Sequence, residues 1–441
     1  MIDYKLSKYN FTFPYPKNTS GMEQTVMYNI RTGSIALIEP DKYQQYLDFA
    51  ENGVPVQDAE LLSDLKRGGY VVEPDLDELA ALKYRQQSYR FNGNVLSLTI
   101  APTSDCNFRC IYCYEKDSIR PITMSEKTQD QLIDFVQQYL PFISSFRVVW
   151  YGGEPLLAMH IIEKLSKVFM DLSDENHVNY SASIVTNGYL LTPEIADQLR
   201  ALNVNHMQIT LDGAAEDHDK RRFLKGGLPT FDRIIENLCA AKDHLPDDIS
   251  IRINADRHNI DRVDNVVKII REKGLEGKVY PYIAMVENRN NAYNDNSCLH
   301  TNRFSQYEFD FIMQNKLDIV SHTPQQLGNY CGADSSSSFV INADGKIYKC
   351  WNEMGIESCS IGNLEEGVKE CALLHSYLLY DATADPECST CKFLPVCMGG
   401  CPYLRRKHLP DRCTAMKHGL HAFMSVIPAI LEKQLDEETH E

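Results

Sequence analysis

The chain has 441 residues, of which 43% are hydrophobic and 24% charged, with 23 Gly and 19 Pro. This is the composition of an ordinary globular protein, and the length suggests roughly two to four domains. The 61 acidic and 44 basic residues give a formal net charge of -17. Such a charge argues against nonspecific binding to nucleic acid or to an anionic membrane.

The two ends of the sequence predict a cytoplasmic protein. Asp3, Lys5 and Lys8 interrupt the N-terminal aromatic residues, so the chain does not begin with the basic and apolar regions of a secretory signal. The apolar segment Leu420–Leu431 contains His421 and Pro428 and is too short to cross a bilayer. We therefore expect a buried terminal helix and no membrane partner.

Residues 1–91 predict a small winged-helix module. A hairpin comes first, and its strands flank the turn Arg31-Thr32-Gly33. Helical spacing of apolar residues follows, and Gly68-Gly69 ends one of the helices. The predicted elements are two strands, two helices, a strand and a helix, at Thr25–Ile30, Ser34–Ile38, Asp41–Glu51, Ala59–Arg67, Tyr70–Val72 and Pro74–Arg90.

Residues 92–315 alternate between strand-like and helical patterns, which predicts a parallel sheet closed into a partial (β/α)6 barrel. The predicted strands are Val95–Ile100, Phe146–Trp150, Ser181–Val185, Met207–Leu211, Ser250–Ile253 and Val279–Ala284. The predicted helices are Ser125–Leu140, His160–Leu172, Pro193–Leu202, Thr230–His244, Asp261–Lys273 and Arg303–Asn315. Functional residues of such a sheet are expected just past the C-terminal ends of its strands.

Residues 325–441 predict a third, loop-rich domain that needs metal to hold it together. The one clear hairpin signal is Phe339–Tyr348, with Asp344-Gly345 at its turn. Nine of the 14 Cys of the chain lie between Cys331 and Cys413. Because the cytosol keeps thiols reduced, this clustering indicates metal binding or catalysis rather than disulfides.

Cys106, Cys110 and Cys113 follow the first predicted barrel strand with the spacing C-x3-C-x2-C. Three thiolates on one loop can hold three corners of a 4Fe-4S cluster and leave one iron open, whereas ferredoxin motifs supply four Cys. A structural zinc site is the alternative. The motif strongly resembles the radical S-adenosylmethionine (SAM) superfamily. The resemblance implies that the open iron chelates SAM and that SAM cleavage yields a radical that abstracts a substrate hydrogen.

Further motifs follow the other strands in the order that this resemblance implies. Tyr112 matches a residue that lies against the adenine of SAM. Gly152, Gly153 and Glu154 match a motif for the SAM amino group, since the glycines permit close backbone approach and Glu154 can accept from an ammonium. Residues at the ends of the third and fourth strands match positions that contact the ribose and carboxylate of SAM in this superfamily, namely Ser183, Asn187, Thr210 and Asp212. Taken singly, each of these could be a turn or a cap, and residues 218–222 could be a solvated loop.

Seven Cys in the third segment resemble the SPASM extension of radical SAM proteins, which holds two auxiliary 4Fe-4S clusters. The resemblance implies three clusters in all. It assigns four thiols to one auxiliary cluster, namely Cys388, Cys391, Cys397 and Cys413, and three to the other, namely Cys331, Cys350 and Cys401. A zinc ribbon explains only the first pair of these thiols. No further Cys lies between Gly332 and Lys349, so the three-thiol cluster has an open iron unless Cys298 or Cys359 fills it.

The leading functional hypothesis is an oxidoreductase that matures a ribosomally made peptide and installs thioether crosslinks from a Cys sulfur to an acceptor carbon, as in ranthipeptides or sactipeptides. The open auxiliary iron would bind the donor thiol. The N-terminal module would take the precursor's leader as an added β-strand, unless it only covers the barrel. A flavodoxin-like or ferredoxin-like protein would supply low-potential electrons.

Three alternatives remain at this stage. An anaerobic sulfatase-maturating enzyme would oxidise Cys or Ser to formylglycine, but that family places Asp directly after the Cys matching Cys350, and this chain has Trp351. A maturase that forms carbon-carbon crosslinks is compatible with the same motifs. A noncatalytic iron-sulfur electron carrier explains the C-terminal Cys but not Gly152 to Pro155 beside an open three-Cys site.

Overall fold

The computed structural model describes residues 3–15, 24–117, 119–428 and 430. The chain folds into two compact units. The first contains residues 1–90, 300–330 and 381–441, and the second contains residues 91–299 and 331–380. The predicted third segment therefore contributes to both units. The division into three consecutive domains stays a prediction.

The N-terminal part of the first unit is a small α/β module. Its elements are β1 Lys5–Leu6, β2 Asn10–Tyr15, β3 Gln24–Asn29, β4 Ser34–Ile38, α1 Pro40–Asn52, α2 Ala59–Arg67, β5 Val71–Val72 and α3 Glu78–Arg90. The predicted hairpin and helices are confirmed, and β1 and β2 were missed. Sheet β2-β3-β4 is antiparallel, and β1 pairs with β5. Met27, Tyr46, Leu61 and Tyr70 belong to the apolar core beneath it.

Six parallel strands form the centre of the second unit, as predicted. They are β6 Val95–Ile100, β7 Ser145–Trp150, β8 Asn179–Thr186, β9 Val204–Thr210, β10 Asp248–Ala255 and β11 Tyr280–Met285. The helices between them are α4 Glu126–Gln137, α5 Met159–Glu175, α6 Pro193–Ala201, α7 Ala215–Arg221, α8 Phe231–Ala241 and α9 Asp264–Glu272. Ser125 and Thr192 cap α4 and α6 through their hydroxyl oxygens. Residues 215–221 are a helix and not the solvated loop that was the alternative.

The sixth predicted helix has a different place from the one expected. Helix α10, Thr301–Gln314, lies in the first unit rather than with the sheet. It packs there on the terminal helix α15, Met416–Met424. The predicted terminal helix reached Leu431, which lies outside the described residues.

The second unit also takes elements from the C-terminal part of the chain. These are β12 Ser338–Ile341, β13 Lys346–Tyr348, β14 Gly362–Asn363, β15 Gly367–Val368 and α11 Ala372–Leu378. The predicted hairpin is present as β12 and β13, with Gly345 at φ 82° in its turn. Strand β12 also pairs in parallel with β6, so the hairpin extends the barrel sheet. A hairpin signal in the sequence gives no information on this second partner.

The remaining helices of the first unit are short, because Pro and Cys punctuate this region. They are α12 Pro386–Thr390, α13 Leu394–Cys397 and α14 Pro402–Arg406. They pack against the N-terminal module: the Phe11 and Phe393 ring centroids are 5.2 Å apart, and Lys392 Nζ donates to Asn10 O at 2.8 Å. Among the helices in the described residues, none is long and apolar enough to cross a membrane.

Candidate active site

The loop after β6 carries Cys106, Cys110 and Cys113 at the C-terminal edge of the sheet. Backbone bonds from Arg109 N to Phe223 O (2.8 Å) and from Ile111 N to Arg221 O (3.0 Å) hold it against the end of α7 and the residues that follow. Within the loop, Phe108 N donates to Cys106 Sγ at 3.4 Å. The three thiols thus lie on one anchored loop, at the edge where a parallel β/α sheet places its functional groups.

Burial sets the protonation of these thiols in the protein alone. It raises the pKa of all three and brings that of Cys113 to about 12. Arg222 opposes this shift at Cys110 and Cys113. Because only thiolates bind iron, metal binding must drive their deprotonation. A guanidinium beside the site suits the negative charge of a thiolate-bound cluster.

The test of the zinc alternative is how the ligands converge. In residues 3–15, 24–117, 119–428 and 430, no three His, Cys, Asp or Glu side chains are grouped to hold a single metal ion. A 4Fe-4S cluster distributes its ligands over separate iron atoms, so its thiols need not meet at one point. A 4Fe-4S cluster on the three-thiol loop is compatible with this arrangement and stays a prediction.

Gly152 and Gly153 pack the end of β7 against the Cys loop. A Cβ on Gly153 would lie 2.1 Å from Asp105 O, and one on Gly152, at φ 110°, would lie 2.6 Å from Thr103 O. Any larger residue would push the Cys loop away. In the protein alone, the close approach expected toward a ligand is made to the backbone beside Cys106. Contact with SAM stays a prediction for both glycines.

Glu154 is almost completely buried and joins the ends of β7 and β8. Its Oε1 accepts from Thr186 Oγ1 at 2.6 Å and from Leu156 N at 3.0 Å, and its Oε2 accepts from Asn187 N at 2.8 Å. Burial nevertheless raises its pKa. The carboxylate has lone pairs left for an ammonium, so the predicted SAM contact is compatible with this positioning role.

Tyr112 is a centre of the hydrogen-bond network beneath the Cys loop. Its hydroxyl donates to Asp212 Oδ2 at 2.5 Å and accepts from Arg222 Nη1 and Asn254 Nδ2, both at 3.0 Å. The Arg221 guanidinium lies 5.1 Å from its ring centroid. The aromatic residue of the motif is therefore fixed by groups at the ends of three different elements.

Arg221 links two buried carboxylates that follow neighbouring strands. Its Nε lies 3.0 Å from Asp212 Oδ2, and its Nη1 lies 2.6 Å from Asp256 Oδ2, which also accepts from Tyr293 Oη at 2.7 Å. Burial alone would lower the pKa of Arg221, but Asp212 and the other partners raise it overall. Arg221 is thus charged, and its ion pairs hold the segment that anchors the Cys loop.

We expect Arg221→Met to destabilise the protein by about 3–5 kcal/mol, because it leaves two buried carboxylates without their cation. Arg262→Met is the matched control. Arg262 also pairs with an aspartate, Asp217, but its side chain is half exposed, so solvent screens the ion pair and the expected loss is much smaller. Urea unfolding of both variants measures the difference, and equal losses would contradict the buried role of Arg221.

His218 on α7 is buried and neutral. Its Nδ1 accepts from Asp212 N at 3.2 Å, which leaves the proton on Nε2 to donate to Thr230 Oγ1 at 3.1 Å. Burial, with Arg222 and Arg221 nearby, holds its pKa well below the usual value. This tautomer positions the backbone of Asp212.

The sign of the resulting pH dependence follows from proton binding. Below the unfolded pKa of about 6.5, the unfolded chain takes up a proton at His218 that the folded protein does not bind. Stability should therefore fall as pH falls, by about 1.4 kcal/mol per unit from this group. In His218→Gln this component of the slope should vanish, whereas His160→Gln, an exposed control, should keep it. Unfolding curves at several pH values test this, and identical slopes in all three proteins would refute it.

The remaining predicted SAM contacts are distributed along β8 and β9. Ser183 Oγ donates to Val148 O at 3.5 Å, and Thr210 is buried at the end of β9. Asn187 Nδ2 donates to Asn107 Oδ1 at 2.8 Å, so this residue reaches the Cys loop. The Asp212 carboxylate is committed to Tyr112 and Arg221 through Oδ2, while its buried Oδ1 has no partner among the described groups. The individual SAM contacts stay predictions.

Sequence reasoning missed several residues of this network. Asn254 and Asp256 lie at the end of β10, where the rule of strand ends would have found them. Tyr293 lies in the loop after β11, and no local pattern indicates its bond to Asp256. Thr186 was given no role of its own, although its hydroxyl donates to Glu154 Oε1.

The four thiols assigned to one auxiliary cluster all lie in the first unit. Cys388, Cys391, Cys397 and Cys413 line one pocket of about 380 Å³, a volume that includes its open mouth. Cys397 shares a hydrogen bond with Cys413, which lowers the pKa of Cys413. Four thiols around one cavity are the donor set of a 4Fe-4S cluster, so these residues fit that group.

The other three assigned thiols do not fall in one unit. Cys331 and Cys350 lie in the second unit and Cys401 in the first, so their common cluster stays a prediction. Cys359 packs on an apolar cluster that contains Tyr348 and Met354. This contact favours a buried hydrophobic role for Cys359 over metal binding.

Comparison with known proteins agrees with this geometry. Residues 100–268 match the model of the Radical SAM superfamily. The chain is 21% identical over 357 residues to a cysteine-type anaerobic sulfatase-maturating enzyme of Clostridium novyi, covering 72% of this chain and 90% of that protein. Two solved structures share the fold. One is anSMEcpe with bound AdoMet and a Cp18Cys peptide (21% identity, TM-score 0.60, 78% of this chain and 99% of that one). The other is Streptococcus suis SuiB bound to precursor peptide SuiA (14%, TM-score 0.54, 93% and 99%).

The fold is thus an α/β radical SAM partial barrel with small N-terminal sheets and an additional Cys-rich C-terminal region. Residues 100–268 thus resemble radical SAM proteins, and the similarity to peptide-modifying maturases indicates that the protein is an enzyme. SAM and iron-sulfur clusters are the cofactors typical of this class.

Proposed function

We propose that this enzyme matures a ribosomally synthesised peptide by forming thioether crosslinks from Cys sulfur to an acceptor carbon. The main observation in support of the proposal is the set of structural parts that the first unit combines. It joins a small sheet with an open edge strand to a pocket of four thiols. Recognition of an extended peptide and storage of an electron are the two functions such a unit can add to a radical SAM barrel.

The edge strand β4 is suited to bind the leader. Backbone groups of successive strand residues point to opposite edges. Ile30 N donates to Tyr9 O, so Tyr28 and Val26, at every second position of β3, also direct their backbone groups toward β2. These residues lie opposite Ile35 and Leu37 of β4, whose N–H and C=O groups therefore point away from β3. Within the described residues these four groups have no hydrogen-bond partner. A peptide strand can pair with them without needing a particular side-chain sequence.

The opposite edge strand, β2, is less accessible. By the same alternation, the residues of β2 whose backbone groups point away from β3 are Asn10, Thr12 and Pro14. Asn10 O accepts from Lys392 Nζ, and Pro14 has no N–H to offer. Strand addition is therefore favoured at β4.

In this proposal Cys106, Cys110 and Cys113 hold the cluster that binds SAM. When bound, the two cofactors supply reductive cleavage of SAM and abstraction of a substrate hydrogen atom. Gly152 and Gly153 let the Cys loop pack close to β7. Hydrogen bonds to Asp212 and Arg222 hold the Tyr112 side chain in position. These residues position the site rather than exchange protons.

The crosslink sets a requirement that the first unit meets. Carbon-sulfur bond formation removes one hydrogen atom from the acceptor carbon, one proton from the donor thiol and one electron. The electron needs an acceptor inside the protein. The pocket of Cys388, Cys391, Cys397 and Cys413 supplies the ligands for one.

A formylglycine-forming activity is the second candidate, because the chain resembles sulfatase-maturating enzymes over most of its length. Trp351, directly after Cys350, argues against it. Its ring centroid is 4.6 Å from that of Tyr151 and its side chain is partly exposed, so an aromatic surface stands where that family has Asp. Carbon-carbon crosslinking of a peptide remains the third candidate.

The decisive experiment identifies the open reading frames beside the gene and incubates a short Cys-rich peptide encoded there with reconstituted, reduced enzyme and SAM. Thioether formation should remove two hydrogen atoms per crosslink and make the donor Cys resistant to alkylation. A precursor with Cys→Ser at the donor should cause 5'-deoxyadenosine formation without crosslinking. Mass loss with every Cys still alkylatable would favour carbon-carbon bonds, and oxidation of a sulfatase-derived peptide would favour formylglycine formation.

A further inference from the structure

We infer that Arg412 tunes the cluster held by Cys388, Cys391, Cys397 and Cys413 toward accepting an electron. This rests on the proposed function only in taking that pocket as a cluster site. The assignment concerns a neighbour of the ligands and not a ligand itself, so Arg412 is a positioning residue that acts through the cluster.

Arg412 brings positive charge close to a pocket thiol. It lines the pocket, and its Nη2 lies 3.9 Å from Cys388 Sγ, within hydrogen-bonding distance of a sulfur acceptor. A second cation, Lys417, lines the same pocket. A change in the charge of a cluster held in this pocket would therefore interact with both cations.

Two acidic side chains hold Arg412 in this orientation. Its Nη1 lies 3.3 Å from Asp385 Oδ2, and its Nη2 lies 3.0 Å from Glu387 Oε2. Asp385 is itself fixed, because its Oδ1 accepts from Glu387 N and Cys388 N. The guanidinium therefore stays on the Cys388 side of the pocket.

The backbone of Arg412 adds a second constraint. Its carbonyl accepts from Cys401 N at 3.0 Å, and a Cβ on Gly400 would lie 2.0 Å from it. The segment from Arg412 to Cys413 therefore packs directly on Gly400. Such packing fixes the distance between the cation and the thiols better than an exposed chain would.

The electrostatic consequence has a definite sign. Reduction adds one negative charge to a cluster that its thiolate ligands already make negative. A nearby cation and a hydrogen bond to sulfur stabilise the reduced form more than the oxidised form, which raises the reduction potential. Arg412 thus makes the cluster a better acceptor of the electron released in crosslink formation.

The test is a redox titration followed by electron paramagnetic resonance, in protein that lacks Cys106, Cys110 and Cys113 so that their cluster does not contribute. In Arg412→Gln the ratio of reduced to oxidised cluster in one auxiliary signal, at a fixed potential, should fall about tenfold, which corresponds to about 59 mV for one electron. Arg412→Lys keeps the positive charge, so the same ratio should fall less in this variant. Lys407→Gln, an exposed neighbour, should leave the titration unchanged.

Each outcome decides the proposal. An unchanged potential in Arg412→Gln with normal iron content would overturn it, and so would loss of that cluster's iron in both Arg412 variants, because Arg412 would then be structural. The readout requires no peptide, so it stands apart from the thioether question. If Cys388→Ser with Cys391→Ser removes no iron from the enzyme, it is the cluster assignment within the proposed function that fails.

Discussion

Replacing Cys106, Cys110 and Cys113 together by Ala is expected to abolish SAM cleavage. The three thiols are the only Cys on the loop after β6, and Gly152 and Gly153 hold that loop in place. The auxiliary thiols lie on other loops, so iron and sulfide should fall by about a third if three 4Fe-4S clusters are present. The measurement is 5'-deoxyadenosine formation by reduced protein with SAM alone.

The control for this variant is Cys239→Ala with Cys371→Ala, which removes two thiols that have no assigned ligand role. It should keep both the iron and SAM cleavage. The backbone bonds of Arg109 and Ile111 do not depend on the thiols, so the loop of the triple variant should stay anchored. Persistent 5'-deoxyadenosine formation in the triple variant would refute the assignment.

Blocking the edge of β4 is expected to weaken leader binding at least about tenfold while sparing SAM cleavage without peptide. Leu37→Pro removes an N–H that points away from β3, so it costs no ladder hydrogen bond within the sheet. Leu37→Ala removes the side chain but keeps the N–H, and separates the two effects. Fluorescence anisotropy of a labelled leader peptide measures the affinity.

The matched control is Thr12→Pro on the opposite edge, which should leave leader affinity unchanged. Similar losses from both proline variants, or from neither, would contradict strand addition at β4. These point variants test recognition more cleanly than deletion of residues 1–88. Phe11 and Phe13 contact Phe393 and His421, so the deletion would also expose the Cys-rich part of the first unit.

Much of the candidate site could be predicted because its signals are local. The thiol spacing of Cys106, Cys110 and Cys113 is a property of one short loop. The alternation of apolar runs and amphipathic helices predicts the parallel sheet, and a parallel sheet brings its strand ends to one edge. The roles predicted for Tyr112, Glu154 and Asp212 came from the resemblance to the radical SAM superfamily, and the rule of strand ends agrees with the positions of Glu154 and Asp212.

What the sequence by itself determined is therefore the order of elements, the position of the Cys loop and the residue types around it. Tertiary structure alone decided which of these residues bond to one another. Arg221 forms ion pairs with Asp212 and Asp256. Strand β12 pairs with β6, and helix α10 packs on α15 rather than on the sheet. The physical reason is that strand partners and buried ion pairs join residues distant in sequence, and they are selected by burial and charge compensation in the folded chain rather than by spacing along it.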